Sequence, residues 1–197
     1  MALSKPTGRE LLHERDITIR GYQRSDGRFD IEAHLTDTKS YSFPSEDRGQ
    51  IPSGEPLHEM WVRMTVNQDL VIDACEAATD HGPFTICPDA APSFSRLAGL
   101  RIGRGFLRAA AERVGGVHGC THLRELLQQL GTVAFQTLYP VRARKEAAAA
   151  AAGTERTPRL LNTCYAYASD SPVVRRRWPH LSTGPDAAAA VPAAGED

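Results

Sequence analysis

The chain has 197 residues and a formal net charge of −1, with 23 Lys and Arg against 24 Asp and Glu. That length fits one globular domain with an ordinary core. The charge balance lacks the basic excess of a duplex-binding protein, so we expect no nucleic-acid partner. No run approaches the roughly 20 apolar residues that span a bilayer, and residues 1–16 carry no apolar export signal. We therefore expect a cytoplasmic protein without a membrane partner.

Two β-hairpins are predicted in the N-terminal half. Apolar and polar residues alternate over residues 17–19 and 29–35, on either side of turn-forming residues 25–28. The same alternation runs over residues 60–66 and returns after a short turn at residues 67–69. A period of two is typical of strands with one buried face. The Pro-, Ser- and Gly-rich segment 41–55 between the hairpins is predicted to be a loop.

The period becomes helical from Pro92 onward. A first helix is predicted from Pro92, a second over residues 105–114, and a third from Thr121 until Pro140 ends it. Together with the hairpins, these helices predict an α+β fold. Its antiparallel sheet of hairpins would be covered on one face by the helices of the C-terminal half.

One α+β domain is predicted over residues 1–182. Within it, residues 145–158 include a run of six alanines flanked by charge and read as a solvated helix extension or linker. The Ala-, Pro- and Gly-rich residues 183–197 have little to bury and are predicted to be a disordered tail.

Four positions carry side chains that bind metals. His58 heads a predicted strand with the parity of its apolar face, and His81 follows the return strand in a predicted loop. Cys120 stands just before the long helix, and His122 follows it. Sulfur and imidazole ligands suit Zn²⁺ or Fe²⁺. The alternative is that these residues only pack a small domain.

Cys120 is also a candidate nucleophile, because backbone N–H groups at a helix start lower the pKa of a thiol. No C-x-x-C pair accompanies it, so the strongest redox and zinc-ribbon signatures are missing. Glu59 and Glu125 are candidate proton-transfer groups for a metal-bound water. Asp37 and Lys39 are polar on a predicted strand, which indicates either a buried ion pair or a substrate contact.

The motif Gly-Cys-Thr-His-Leu at residues 119–123, with Leu57-His58-Glu59-Met60 and Ala134-Phe135-Gln136, resembles a bacterial family known as domain of unknown function 2889. The resemblance extends over about residues 9–179. That family name implies no activity.

Residues 56–82 are also distantly similar to the strand–turn–strand core of iron–sulfur scaffold proteins of the IscU/NifU type. This similarity implies an IscU/NifU-like core in which His58 stands at a scaffold aspartate, His81 at a cysteine and Cys120 at the last cysteine. Pro56 and Gly119 depart from the scaffold pattern, and only one of three thiolates remains. Clusters are normally held by several thiolates, so the set favours one zinc or iron ion.

Three functions follow as hypotheses. The first is a metal-dependent enzyme of hydrolase or lyase type that acts on a small molecule. The second is an accessory protein that carries metal or an iron–sulfur cluster to a client protein. The third uses no metal: Cys120 would act in acyl or thioester transfer or hydrolysis, with His122 or His118 as its base. The sequence is compatible with a homo-oligomer but does not predict the oligomeric state.

Overall fold

A computed structural model describes residues 3–151, 158 and 160–184. The chain divides into two compact units, Met1–Arg144 and Lys145–Asp197. A single domain over residues 1–182 stays a prediction. None of the helices in the described ranges is long and apolar enough to cross a membrane.

The first unit is built on a four-stranded antiparallel sheet. Two long hairpins form it, as the alternating patterns predicted: β1 (His13–Gln23) with β2 (Phe29–Lys39), and β5 (His58–Val66) with β6 (Ile72–His81). The middle strands β2 and β5 pair with each other from Phe29↔Val66 to Asp37↔His58. The α+β prediction is confirmed at this level.

One face of this sheet is the core. Alternate residues of β2 and β5 are buried, and their neighbours in sequence are partly or fully exposed, except that Thr65 near the end of β5 is also buried. Helix α1 (Phe106–Val114) and helix α2 (Thr121–Thr137) bury their apolar faces in the same core. The largest buried side chains include Phe29 and Phe94. Burial of such side chains stabilises the fold by roughly 1.5–3 kcal/mol each, before the entropy cost of ordering them.

Two predicted boundaries need correction. The segment 41–55, predicted to be a loop, contains a small second sheet of β3 (Phe43–Ser45) and β4 (Gly49–Ile51). The first predicted helix is a 3₁₀ helix that spans Cys87–Leu97 and so begins before Pro92. Pro88 lies in its first turn, where the N–H that proline lacks would have no partner anyway.

The long helix ends where its pattern predicted. α2 stops at Thr137, and α3 (Tyr139–Ala151) begins with Pro140 in its first turn. The alanine-rich segment is therefore helical up to Ala151, while residues 152–157 lie outside the described part.

The second unit contains short helices, among them α4 (Pro172–Arg177). The Ser171 side chain accepts a hydrogen bond from the Val174 N–H at 3.2 Å and caps α4. Residues 185–197 of the predicted disordered tail lie outside the described residues.

Candidate metal centre

Three neighbouring strands place polar side chains in one row at the end of the core face. Arg15 of β1 is the cross-strand partner of Asp37 on β2, and Asp37 is the partner of His58 on β5. Asp37 continues the buried alternation of its strand and is 1% exposed, while His58 is 7% exposed. Directly opposed residues of antiparallel strands have adjacent side chains on the same face.

Asp37 is fully hydrogen-bonded. Arg15 donates to both carboxylate oxygens, from Nε to Oδ1 and from Nη2 to Oδ2, at 2.7 Å each. His58 Nδ1 lies 3.0 Å from Oδ2, and His13 Nε2 lies 3.2 Å from Oδ1. These four contacts, from three residues, use the four lone-pair directions that a carboxylate offers. A bidentate Arg–carboxylate pair also fixes the orientation of both groups.

The pKa values of this pair set its proton arrangement. Burial opposes ionisation of Asp37, but the hydrogen bonds and charge of Arg15 outweigh it and hold the pKa of the carboxyl below its usual range. Burial, reinforced by the charge of His122, lowers the pKa of His58, against the opposing effect of Asp37. At neutral pH a neutral His58 faces an ionised Asp37. The His58 proton must then be on Nδ1, which leaves the Nε2 lone pair free.

The start of α2 brings two further side chains to this row. The His122 ring lies against the His58 ring, with centroids 3.9 Å apart and planes tilted by 35°. Cys120 Sγ lies 3.9 Å from His122 Nδ1. Gly119 makes this approach possible, because a Cβ there would overlap the Val114 carbonyl oxygen at the end of α1.

Metal-binding atoms converge here. One ligand atom each of Asp37, His58 and His122 lies within 4.8 Å of the other two. Among the described residues this is the one such group of three or more His, Cys, Asp or Glu side chains. It joins β2, β5 and α2, so it forms only when sheet and helix are packed together.

Neither His81 nor Cys120 belongs to this group, which corrects the expected convergence of His58, His81 and Cys120. A β-bulge in β6 shifts the register between Met60↔Thr79 and Glu59↔His81, so Asp80 is the extra residue. His81 then faces Glu59 on the opposite side of the sheet from His58, with its Nδ1 3.0 Å from Glu59 Oε2. A bulge changes the face to which later residues point, and simple alternation does not reveal it.

Glu59 and Glu125 are placed on different sides of the sheet. Glu59 lies on the outer face, where His34 Nε2 approaches it at 3.2 Å and the His34 ring stacks on Trp61. It is therefore separated from His58 by the sheet. Glu125 of α2 accepts a hydrogen bond from Arg15 Nη1 at 2.9 Å and belongs to the Asp37 network.

Arg15 and Asp37 were not among the predicted ligands, although one signal pointed to Asp37. It occupies the position after Phe29, Ile31, Ala33 and Leu35 on the buried face, where a charged side chain requires a partner. The partner is Arg15, because the Lys39 ammonium lies near Tyr41 and Phe43 instead, 4.8 Å from the Phe43 ring centroid. Nothing in the spacing of residues 15 and 37 identifies this pair before the hairpin register is known.

One known protein family matches most of this chain. Residues 13–136 match the family described as protein of unknown function (DUF2889), which is more than half of the chain. The chain belongs to this family. No curated protein and no solved structure matches it significantly, so the similarity to IscU/NifU scaffolds gains no support here. The DUF2889 region contains the whole cluster around Asp37. The residues of this cluster are His13, Arg15, Asp37, His58, Cys120, His122 and Glu125.

Proposed function

We propose that this DUF2889 protein is a mononuclear metal enzyme that binds one zinc or iron ion at His58, His122 and Cys120. The observation that carries the proposal is that His58 and His122 bring ligand atoms within 4.8 Å of each other, with the Asp37 carboxylate in the same group as the partner of His58. The imidazoles supply two ligands and the nearby thiol supplies a third. Such a set suits Zn²⁺ or Fe²⁺ and leaves a coordination position for water or substrate.

In this proposal Asp37 orients His58 and does not bind the ion directly. Its four lone-pair directions are already used by Arg15, His13 and His58, so direct coordination requires one of these bonds to break. The Nδ1–H of His58 points to the carboxylate, which directs Nε2 away from it and toward a metal. A carboxylate behind a metal-binding histidine is the common arrangement in metalloproteins.

The charges of the cluster also favour a cation with a thiolate. Arg15 neutralises Asp37, and Glu125 adds a second carboxylate beside the same guanidinium. A divalent ion together with a Cys120 thiolate would bring the sum of these formal charges to zero. Uncompensated charge near a buried site costs free energy, so this balance supports a metal–thiolate pair over a metal alone.

The proposed chemistry is the hydrolase or lyase type, on a small molecule. A metal with an open position polarises a carbonyl or lowers the pKa of a bound water. Glu125 is the proton-transfer candidate that lies at the cluster, since its side chain is 56% exposed and contacts Arg15. Glu59 lies on the other face of the sheet and has no part in the proposal.

Elemental analysis of the purified protein tests metal binding. We expect about one zinc or iron per chain, and almost none in His58→Ala or in Cys120→Ser. Asp37→Asn should keep the site but weaken the affinity roughly 10- to 100-fold in a competition with a chelator, because only the orienting partner changes. His81→Ala is the matched control on the outer face and should bind like the wild type. Equal metal in the wild type and in a folded His58→Ala variant would end the proposal.

The enzymatic part needs its own test. Hydrolysis of a panel of small esters, amides and phosphoesters should disappear when the metal is removed with a chelator and return when zinc or iron is added back. Activity that the chelator leaves unchanged would contradict a metal enzyme.

A second candidate function rests on the Cys120–His122 contact of 3.9 Å. A thiol beside an imidazole at a helix start suits nucleophilic acyl or thioester transfer without metal. Fast alkylation of Cys120 at neutral pH in metal-free protein, slowed in His122→Ala, would favour this function. Cys75 is the internal comparison, because burial raises the pKa of its thiol to about 12.

A further inference from the structure

Among the residues that the structure describes, β1 pairs with β2 alone and so forms an edge of the sheet. The backbone hydrogen bonds at the two ends of the β1–β2 pair show which backbone groups of β1 face away from β2. The Arg24 N–H donates to the Arg28 carbonyl, and the Ser40 N–H donates to the Leu12 carbonyl. Even-numbered residues of β1 therefore exchange hydrogen bonds with β2, and odd-numbered residues direct their N–H and C=O groups away from it. This edge is eleven residues long.

Such an edge readily accepts another strand. β1 contains no proline, and its burial pattern is exposed at every position except Ile17 and Ile19. Asp16 and Arg20 project from its outer face and form no ion pair with any residue in the described ranges. Two opposite, unpaired charges on one strand cannot meet each other, because four residues of extended chain separate them by about 13 Å.

A second copy of the same strand would satisfy both charges. Antiparallel pairing about a two-fold axis at Thr18 brings Asp16 opposite Arg20 of the partner subunit, and does so twice. Thr18 is also the midpoint of His13–Gln23, so this register pairs all eleven residues. The odd residues Ile17 and Ile19 become a hydrogen-bonded pair, as their outward backbone groups require.

The apolar side of the edge fits the same arrangement. A groove of about 420 Å³ opens between β1 and α2, lined by Ile17, Ile19, Gln128, Gln129, Thr132 and Val133. Both isoleucines are only partly buried. In the paired strands each isoleucine would face an isoleucine of the second copy, which removes apolar surface from water on the helix side of the sheet.

We propose that the protein forms a two-fold symmetric dimer through β1, in which two four-stranded sheets join into one eight-stranded sheet. The inference is independent of the metal centre. Closed two-fold symmetry uses both copies of the edge, so the assembly does not continue into a fibre. A dimer of this kind also protects an edge that would otherwise promote aggregation.

Substitutions that reverse the charge of Asp16 or Arg20 test the proposed dimer. Asp16→Arg and Arg20→Asp each replace two attractive cross-strand pairs by two repulsive ones. Each should raise the dimer dissociation constant about tenfold or more in sedimentation equilibrium. The double variant with both substitutions restores the opposite charges and should return to the wild-type constant. Glu112→Arg, a charge reversal at an exposed position of α1, is the control and should leave dimerisation unchanged.

Hydrogen exchange separates this interface from any other. In the dimer the amides of Ile17 and Ile19 should exchange slowly, and in Asp16→Arg at monomer concentration they should exchange fast. Far-UV circular dichroism checks that each variant is folded. A wild type that is monomeric throughout, or a dimer that neither single reversal weakens, overturns the inference.

Discussion

Asp37 shows how one buried charge organises the surrounding side chains. A carboxylate that is 1% exposed is tolerated only with full compensation, and the two 2.7 Å bonds from Arg15 supply most of it. That bound carboxylate then selects the Nδ1–H tautomer of His58. The lone pair on His58 Nε2 therefore remains free. The ion pair between Arg15 and Asp37 on neighbouring strands therefore sets the orientation and the tautomer of His58.

The lowered pKa of His58 predicts a pH dependence of stability in metal-free protein. Well above pH 6.5 His58 is neutral in both the folded and the unfolded state, because the ordinary pKa is 6.5 and the folded pKa is lower. As the pH falls below 6.5, the unfolded chain takes up a proton that folded His58 still excludes. The free energy of unfolding should therefore fall with decreasing pH until the folded pKa is reached, by at most about 1.4 kcal/mol per pH unit from this one group.

Urea unfolding of apoprotein between pH 8 and pH 5 measures this effect. His58→Gln should show a flatter decline below pH 6.5, since glutamine does not titrate. His81→Gln, which changes a histidine on the outer face, should keep the wild-type slope. An unchanged slope in His58→Gln would contradict the assignment of a neutral buried imidazole.

The position of α2 is set by a close backbone approach. Gly119 has an extended backbone, so glycine is needed there for space and not for an unusual dihedral angle. A Cβ would overlap the Val114 carbonyl oxygen and move the start of α2 away from α1. Cys120 and His122 would move with it.

Gly119→Ala should lower the free energy of unfolding by about 1–3 kcal/mol, the usual cost of overpacking, and weaken metal binding in the same protein. Thermal unfolding and chelator competition measure the two effects. Gly8→Ala is the control, because a Cβ at that position meets no atom within 4 Å. A Gly119→Ala protein as stable as the wild type would show that the two helices do not need this contact.

The β-bulge at Asp80 determines which face of the sheet His81 occupies. Thr79 and His81 have the same parity, and regular alternation would direct both to the core. Insertion of Asp80 opposite the β5 strand turns His81 outward to Glu59. The two faces of one sheet consequently carry two different histidine clusters.

The main apolar core lies entirely within the first unit. The core cluster runs from Phe29 to Leu138, with Ile17, Ile19 and Val141 packed at its border. A chain that ends at Ala151 keeps all these residues, the residues of the proposed metal site and β1. We expect it to unfold cooperatively and to bind the same amount of metal as the full chain. Urea unfolding and elemental analysis measure this, and loss of the cooperative transition would show that the second unit is required for folding.

The sequence by itself determined the strands, the hairpins and the principal helices, because alternation and helical periodicity are local patterns that burial enforces. It also identified His58, Cys120 and His122 as candidates from their positions at element ends, and in the structure His58 lies against His122 while Cys120 lies beside His122. Only the tertiary structure decided the partners. Arg15 and Asp37 meet through a hairpin register, and His81 is turned away by one extra residue in a strand. Such contacts depend on how distant segments pair, which periodicity along one segment does not encode.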